Sequence, residues 1–174
     1  RHVTGTASQF DQLTSVLFSF LPSLRGIIHA AGTLADGTLG QQTWEAFKEV
    51  FGPKVQGAWN LHRLTLNHPL DFFVLFSSSA SLLGAPGQGN YTAANTFLDA
   101  LAAYRQRQGL PGVSINWGPW SEVGMTARMG LEDRLRQKGE ESILPELGLK
   151  VLEKLLEENL TQVGVMPMNW SRFF

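Results

Sequence analysis

A chain of 174 residues, 43% of them hydrophobic, has the size of one domain and too much apolar surface for disorder. Lys plus Arg number 14 and Asp plus Glu 15, a net charge of −1, so neither nucleic acid nor a membrane surface is an expected partner. Cysteine is absent, no apolar run approaches a membrane span, and the first residues have no signal-peptide pattern. A cytoplasmic protein without a metal site is expected. The chain opens at Arg1 without an initiator Met and is read as starting inside a longer protein.

Ser8 to Phe20 places Phe10, Leu13, Leu17 and Phe20 at helical spacing. Gly26-Ile27-Ile28-His29-Ala30-Ala31-Gly32 reads as a short buried strand entering a glycine turn. Thr43 to Leu66 is helical with an interruption at Gly52-Pro53, which predicts a bend and a second helix from Pro53 to Leu66. Phe72 to Phe76 lacks alternation, as a strand covered on both faces should. Tyr91 to Gln108 reads as a helix stopped by Gly109, and Val113 to Trp117 as a third strand ended by Gly118-Pro119. Residues 121–142 are polar, with Met125, Met129 and Leu135 at helical spacing, and read as a flap more than as core. Pro145 to Glu158 is an amphipathic helix and Gln162 to Met166 a last strand. The alternation of helices and strands predicts an α/β fold, a Rossmann-like parallel sheet with helices on both faces.

In such sheets ligands bind at the carboxyl ends of strands. Three predicted strand ends carry unusual residues: Ala30-Ala31-Gly32, Ser77-Ser78-Ser79 and Trp117-Gly118-Pro119-Trp120. Tyr91 opens a helix thirteen positions after Ser78 (91 − 78), and Asn95 lies one turn further on the same face. Two hydroxyls so placed can hold and protonate a carbonyl oxygen. A free tyrosine, at about 10, is a poor acid at neutral pH, and a nearby ammonium would lower its pKa. Asn95 cannot supply that charge; Lys54 can, if the fold brings it near. Alone, Tyr91 could equally be a buried hydrogen-bonding tyrosine and Lys54 a solvated cation.

Together these segments resemble the ketoreductase domain of modular polyketide synthases, in the short-chain dehydrogenase/reductase superfamily. The likeness runs in order through His29-Ala30-Ala31-Gly32, Pro53-Lys54-Val55, Leu75-Phe76-Ser77-Ser78, Gly87-Gln88-Gly89-Asn90-Tyr91, Ala94-Asn95, Asn116 to Trp120 and Val165 to Trp170. Most of the superfamily places lysine four residues after the tyrosine; here Asn95 stands there and the lysine is on the earlier helix, the exchange these synthase reductases make. The resemblance implies Ser78 positioning a ketone, Tyr91 donating the proton, Lys54 lowering the tyrosine pKa and Asn95 completing a relay. It implies NADPH as cofactor, against Ala30, Ala31, Gly32, Ser77, Lys54, Tyr91, Gly118, Pro119 and Trp120. It implies a β-ketoacyl chain, phosphopantetheine-linked to an acyl carrier protein, meeting Asp36, Leu83, Gln88 and Met125 under a lid at about 122–140. No Gly-x-Gly-x-x-Gly follows any strand, so the nucleotide-binding strands and their pyrophosphate loop are expected before Arg1, in an N-terminal half of the same domain.

The resemblance also bears on stereochemistry. Leu34-Ala35-Asp36 keeps the last aspartate of the Leu-Asp-Asp mark of "B-type" reductases, Leu83 replaces the tryptophan of the opposite type, and Ala93 stands where one B subtype has proline. A D-configured 3-hydroxyl without epimerisation is expected. Two other readings remain open at this point: a non-catalytic scaffolding piece of a synthase, and a reductase of fatty-acid or nonribosomal-peptide type.

Overall fold

The computed structural model describes residues 6–18, 24–124, 130 and 132–174. Four strands, β1 (Gly26–His29), β2 (Phe72–Ser78), β3 (Val113–Trp117) and β4 (Gln162–Val165), form one sheet in the order β1-β2-β3-β4, every neighbouring pair parallel. Between and around them run α1 (Phe10–Phe18), α2 (Trp44–Phe51), α3 (Gly57–Leu64), α4 (Ala80–Leu83), α5 (Gly89–Arg107), α6 (Glu132–Gln137), α7 (Pro145–Leu156) and α8 (Trp170–Phe173). Parallel strands run the same way, so their carboxyl ends gather at one edge, where Ser78 pairs with Trp117.

Strand β2 decides how the sheet is covered. Phe73 and Leu75 face Ala58 and Leu61 of α3 and Leu98, Leu101 and Ala102 of α5. Val74 faces the other way, into a cluster with Ile115, Trp117, Ile143 and Leu152 of α7. Both faces of β2 are therefore apolar, which is why its sequence shows no alternation. The crossovers β1→β2 and β2→β3 lie on the α5 face, while β3→β4 runs through α7 on the opposite face. The sheet steps the same way each time, so the third crossover has the opposite hand. It runs through the long connection at 118–144 rather than a tight loop, unlike the common right-handed unit.

Three sequence expectations change. The bend at Gly52-Pro53 is instead a single π-helical turn, Gly52–Gln56, inside one continuous helical run; the second α-helix begins at Gly57. Pro53 has no N–H to give, and the widened turn absorbs that loss without a break. Strand β1 is not wholly buried: it is the edge of this sheet and leaves Ile28 48% exposed. The segment at 121–142 contains the short helix α6, and Glu140 pairs with Met168; Met125 and Met129 lie outside the described residues.

Helix α5 buries Tyr91, Ala94, Asn95, Leu98, Leu101, Ala102 and Arg105, a stripe at three- and four-residue spacing. Its end is a Schellman turn: Leu110 N–H donates to Arg105 O at 3.0 Å and Gly109 N–H to Gln106 O at 2.9 Å, with Gly109 at φ 72°. Arg105 is fully buried. Its guanidinium lies 3.8 Å from the Phe73 ring centroid, donates to Pro111 O at 2.7 Å and meets His62 Nδ1 at 3.1 Å. With Arg105 donating, His62 Nδ1 must be unprotonated.

Burial first, then the Arg105 charge, pushes the His62 pKa below its ordinary value. The unfolded imidazole takes a proton near 6.5 while the native one resists. The His62 contribution to stability should therefore be fully present above about pH 6.5 and be lost as pH falls below that value. Urea unfolding at pH 7.5 and 5.5 reads the slope; His62→Gln should make it shallower, and an equally steep slope would show that His62 is protonated in the native state.

Candidate active site

Helix α5 starts at the carboxyl edge of the sheet. The Asn90 side chain fixes that start: its Oδ1 accepts from Tyr91 N–H at 2.7 Å, and its Nδ2 donates to Ala35 O at 2.8 Å and Ala46 O at 3.2 Å. The loop after β1, helix α2 and the head of α5 are thus tied by one buried amide. Tyr91 emerges only 8% exposed. Ser78 ends β2 half-buried, and its Oγ accepts from Ala80 N–H at 3.2 Å. That bond occupies a lone pair, and the hydroxyl proton is left to donate toward the Tyr91 phenol beside it.

The π-turn brings in Lys54. Its side chain is buried, its Nζ donates to Phe76 O at 3.1 Å, and it lies 5.3 Å from the Tyr91 ring centroid. At Gly32 the backbone passes so close that a Cβ there would stand 3.0 Å from Lys54 Cε. The structure therefore gathers Lys54, Ser78, Tyr91 and Asn95, which the sequence spreads over 42 positions (95 − 54 + 1), at one end of the sheet. π-turns recur at functional sites because they re-aim one side chain without breaking the helix; here that side chain is Lys54.

Burial is the largest influence on the charged groups. It lowers Lys54 to about 8 against the opposing charge of Asp99, and it lowers His29, with help from Lys54, to about 4. It raises the Tyr91 phenol above its ordinary value, with the Ser78 and Asn95 side chains pulling the other way. The expected lowering by Lys54 does not prevail, because burial of the phenol, helped by the nearby Asp36 charge, outweighs the groups that favour its anion.

The expected cofactor residues divide. Ala30, Ala31 and Gly32 are exposed just past β1, and Gly118, Pro119 and Trp120 follow β3. Ser77 is buried and turns its hydroxyl inward, donating to Asn95 O at 3.2 Å and accepting from Asn116 Nδ2 at 3.1 Å, so the hydroxyl is not on offer to a ligand. Trp120 packs at 4.9 Å from Trp117 and 6.4 Å from Phe76. Three buried polar atoms without a protein partner sit at this edge: His29 Nε2 at the end of β1, Trp117 Nε1 at the end of β3, and Asn95 Oδ1 one turn into α5. A small exposed backbone turn, a cation and unpaired polar atoms fit a nicotinamide cofactor. Gln88 Nε2 donates to Asp36 Oδ2 at 2.9 Å, and Gly37 N–H to Gly87 O at 2.8 Å, joining the post-β1 loop to the turn before α5. Leu83 is 39% exposed on α4, and Met125 lies outside the described residues.

One residue of the site escaped the sequence reading. Asp99 continues the four-residue spacing Tyr91, Asn95, Asp99 along α5, and β3 alternates Ser114 and Asn116 toward it.

Residues 1–122 match the family model described as "KR domain". The phthioceranic/hydroxyphthioceranic acid synthase of Mycobacterium tuberculosis (strain ATCC 25618 / H37Rv) is 41% identical over 168 residues, 94% of this chain and 8% of that protein. Erythronolide synthase EryA2 of Saccharopolyspora erythraea is 43% identical over 162 residues, 92% of this chain and 4% of that protein. A solved structure of A-type ketoreductases from a modular polyketide synthase superposes with a TM-score of 0.93 at 36% identity, covering 98% of this chain and 37% of that one. The fold is of the short-chain dehydrogenase/reductase type. The chain belongs to the ketoreductase domain family of modular polyketide synthases, spanning a small fraction of the length of the synthases it matches.

Lys54 tests the electrostatics directly. Below pH 8 the native state carries a buried ammonium, so Lys54→Met should raise stability at pH 7 by about 1–3 kcal/mol. The gain should shrink from pH 8 upward and vanish toward 10.5, where the unfolded lysine also loses its charge. Denaturant midpoints across that range measure it; a destabilised Lys54→Met would mean that the Phe76 hydrogen bond outweighs desolvation.

Proposed function

We propose that this chain forms the catalytic part of an NADPH-dependent reductase that converts a β-ketoacyl thioester on an acyl carrier protein into the 3-hydroxyacyl thioester. The observation that carries this reading is the convergence of Ser78, Tyr91, Lys54 and Asn95 at the carboxyl edge of a parallel sheet. NADPH, when bound, supplies the hydride to the carbonyl carbon.

The chain's own residues do the rest. Ser78 donates its proton to the ketone oxygen and fixes its direction. Tyr91 gives its proton to that oxygen as negative charge builds there. A phenol held above its ordinary pKa keeps that proton at neutral pH, the state an acid must be in before it acts. The Lys54 ammonium then stabilises the phenolate left behind, and Asn95 Oδ1, which lacks a protein partner, accepts from the water that returns the proton. In the full-length protein Tyr91→Phe should cut reduction of a diketide thioester about 10²–10⁴-fold with the fold intact by circular dichroism. Activity near wild type would remove Tyr91 from the role.

The product is the D-3-hydroxyl. Asp36 and Gln88 form one rim of the cleft, hydrogen-bonded at 2.9 Å, and Leu83 stands where the opposite type has tryptophan. A rim that admits the pantetheine arm from one side presents one carbonyl face to the hydride, and about 1.4 kcal/mol gives each factor of ten in selectivity. Chiral chromatography of the product of the full-length protein should give mostly the D isomer; mostly L would show that Ala35 breaks the steering motif.

A further inference from the structure

Beneath Ser78 lies a polar layer in an otherwise apolar interface between the sheet and α5. The Asp99 carboxylate is its centre. Oδ1 accepts from Ser114 Oγ at 2.5 Å and from Asn116 Nδ2 at 3.0 Å; Oδ2 accepts from Ser81 Oγ at 2.8 Å and also lies 3.0 Å from Asn116 Nδ2. Its partners lead straight to the strand end. Ser81 Oγ is 2.9 Å from Ser78 O, and Asn116 Nδ2 is 2.7 Å from Ser81 Oγ and 3.1 Å from Ser77 Oγ. Ser79 N–H donates to Trp117 O at 2.8 Å, carrying the β2–β3 pairing one residue past Ser78. Ser114 and Asn116 donate to the carboxylate, and the single Ser81 hydroxyl proton is shared between Asp99 Oδ2 and Ser78 O, which is how the carboxylate reaches the strand end. An amide in its place would turn its NH₂ toward the NH₂ of Asn116, which lies 3.0 Å from both oxygens, two donors with no acceptor between them.

We propose that Asp99 is the positioning residue of this site: its carboxylate locks the Ser78 end of β2 to β3, α4 and α5, and so fixes Ser78 against Tyr91. The inference rests on the ketoreductase reading above. Tyr91 sits two turns N-terminal to Asp99 on the same rigid helix, so the carboxylate ties the carrier of one hydroxyl to the carrier of the other. The distance between two reacting groups is the quantity that such a brace controls, and small displacements cost large factors in rate. The same carboxylate has an electrostatic reach. The titratable groups facing Lys54 are His29 from β1 and Tyr91 and Asp99 from α5, and Asp99 is the anion that holds Lys54 charged against burial.

The test uses the full-length protein, NADPH and a diketide thioester, with amide hydrogen exchange at Ser79. Asp99→Asn should lower kcat about 10–100-fold with KM for NADPH within about twofold. It should also move the alkaline limb of the kcat profile to lower pH, because Lys54 loses its proton earlier, and should speed Ser79 exchange. Ser81→Ala, which keeps the carboxylate and removes its link to Ser78 O, should lower kcat and speed Ser79 exchange with the limb unmoved. Wild-type kcat in both variants overturns the inference. So does a fall in kcat matched by an equal loss of folded protein, with limb and exchange unmoved. Where Asp99→Asn does not fold, wild-type kcat and exchange in Ser81→Ala overturn it alone. Should the wild-type protein show no turnover, the ketoreductase reading fails, and unchanged Ser79 exchange in Asp99→Asn still decides against the brace.

Discussion

The rotation of α5 about its own axis is the constraint on which the rest depends. Leu98, Leu101 and Ala102 lie in one apolar cluster with Phe73 and Leu75 of β2. Each buried leucine contributes about 1.5–3 kcal/mol, so this seam sets the helix's rotation firmly. A slip of one residue would turn the helix by about 100° and expose the whole stripe. Tyr91 and Asn95 belong to that stripe, and Asp99 lies beside it. Their aim is therefore a by-product of hydrophobic packing further along the same rod. The aim of Tyr91 and Asn95 needs no separate source of rigidity, only a helix long enough to reach from the apolar seam to the sheet's edge; Ser78, on β2, is held by other contacts.

That economy has a cost in charge. The stripe ends in Arg105, and the π-turn delivers Lys54, both of them buried cations. The two are handled differently. Arg105 spreads its charge over the Phe73 ring and gives hydrogen bonds to a carbonyl and to a neutral imidazole, with no carboxylate near enough for an ion pair among the described residues. It joins the end of α5 to α3 and reads as architecture. Lys54 donates one hydrogen bond, to Phe76 O, and its nearest anion is held in place by serines and an asparagine. A buried ammonium so sparsely bonded lies close to losing its charge, and that is a state structure alone does not call for.

Much of this was legible in the sequence because it depends on local signals. An apolar run without alternation announced the doubly covered β2, Gly109 announced the end of α5, and glycine turns after apolar runs located the three strand ends. Ser78, Tyr91, Lys54 and Asn95 were assembled by resemblance, and the sheet brings them to one edge. What was not legible depends on context. Pro53 signals a break by every local rule, yet the run continues because a π-turn removes the need for its missing N–H. Ile28 pairs with Val74 and shares its face, yet among the described residues it is left half exposed where Val74 is fully covered. Asp99 looks like an ordinary surface acid of a helix; only the pairing of β2 with β3 sets Ser114 and Asn116 beneath it.

The directions of the pKa shifts complete the argument. Desolvation acts on Lys54 and Tyr91 alike, penalising the cation of one and the anion of the other. Before reaction the site therefore holds a neutral phenol beside an under-solvated ammonium. Loss of the tyrosine proton would create an anion on the side chain whose ring centroid lies 5.3 Å from that ammonium, and each ion would then relieve the other's burial. The buried site is thus poorly suited to either charge alone and better suited to both together. Under the proposed reading of Tyr91 as proton donor, this suits a proton that leaves while the charge stays behind, and it ties the value of Lys54 to the moment of transfer rather than to the resting pKa of Tyr91.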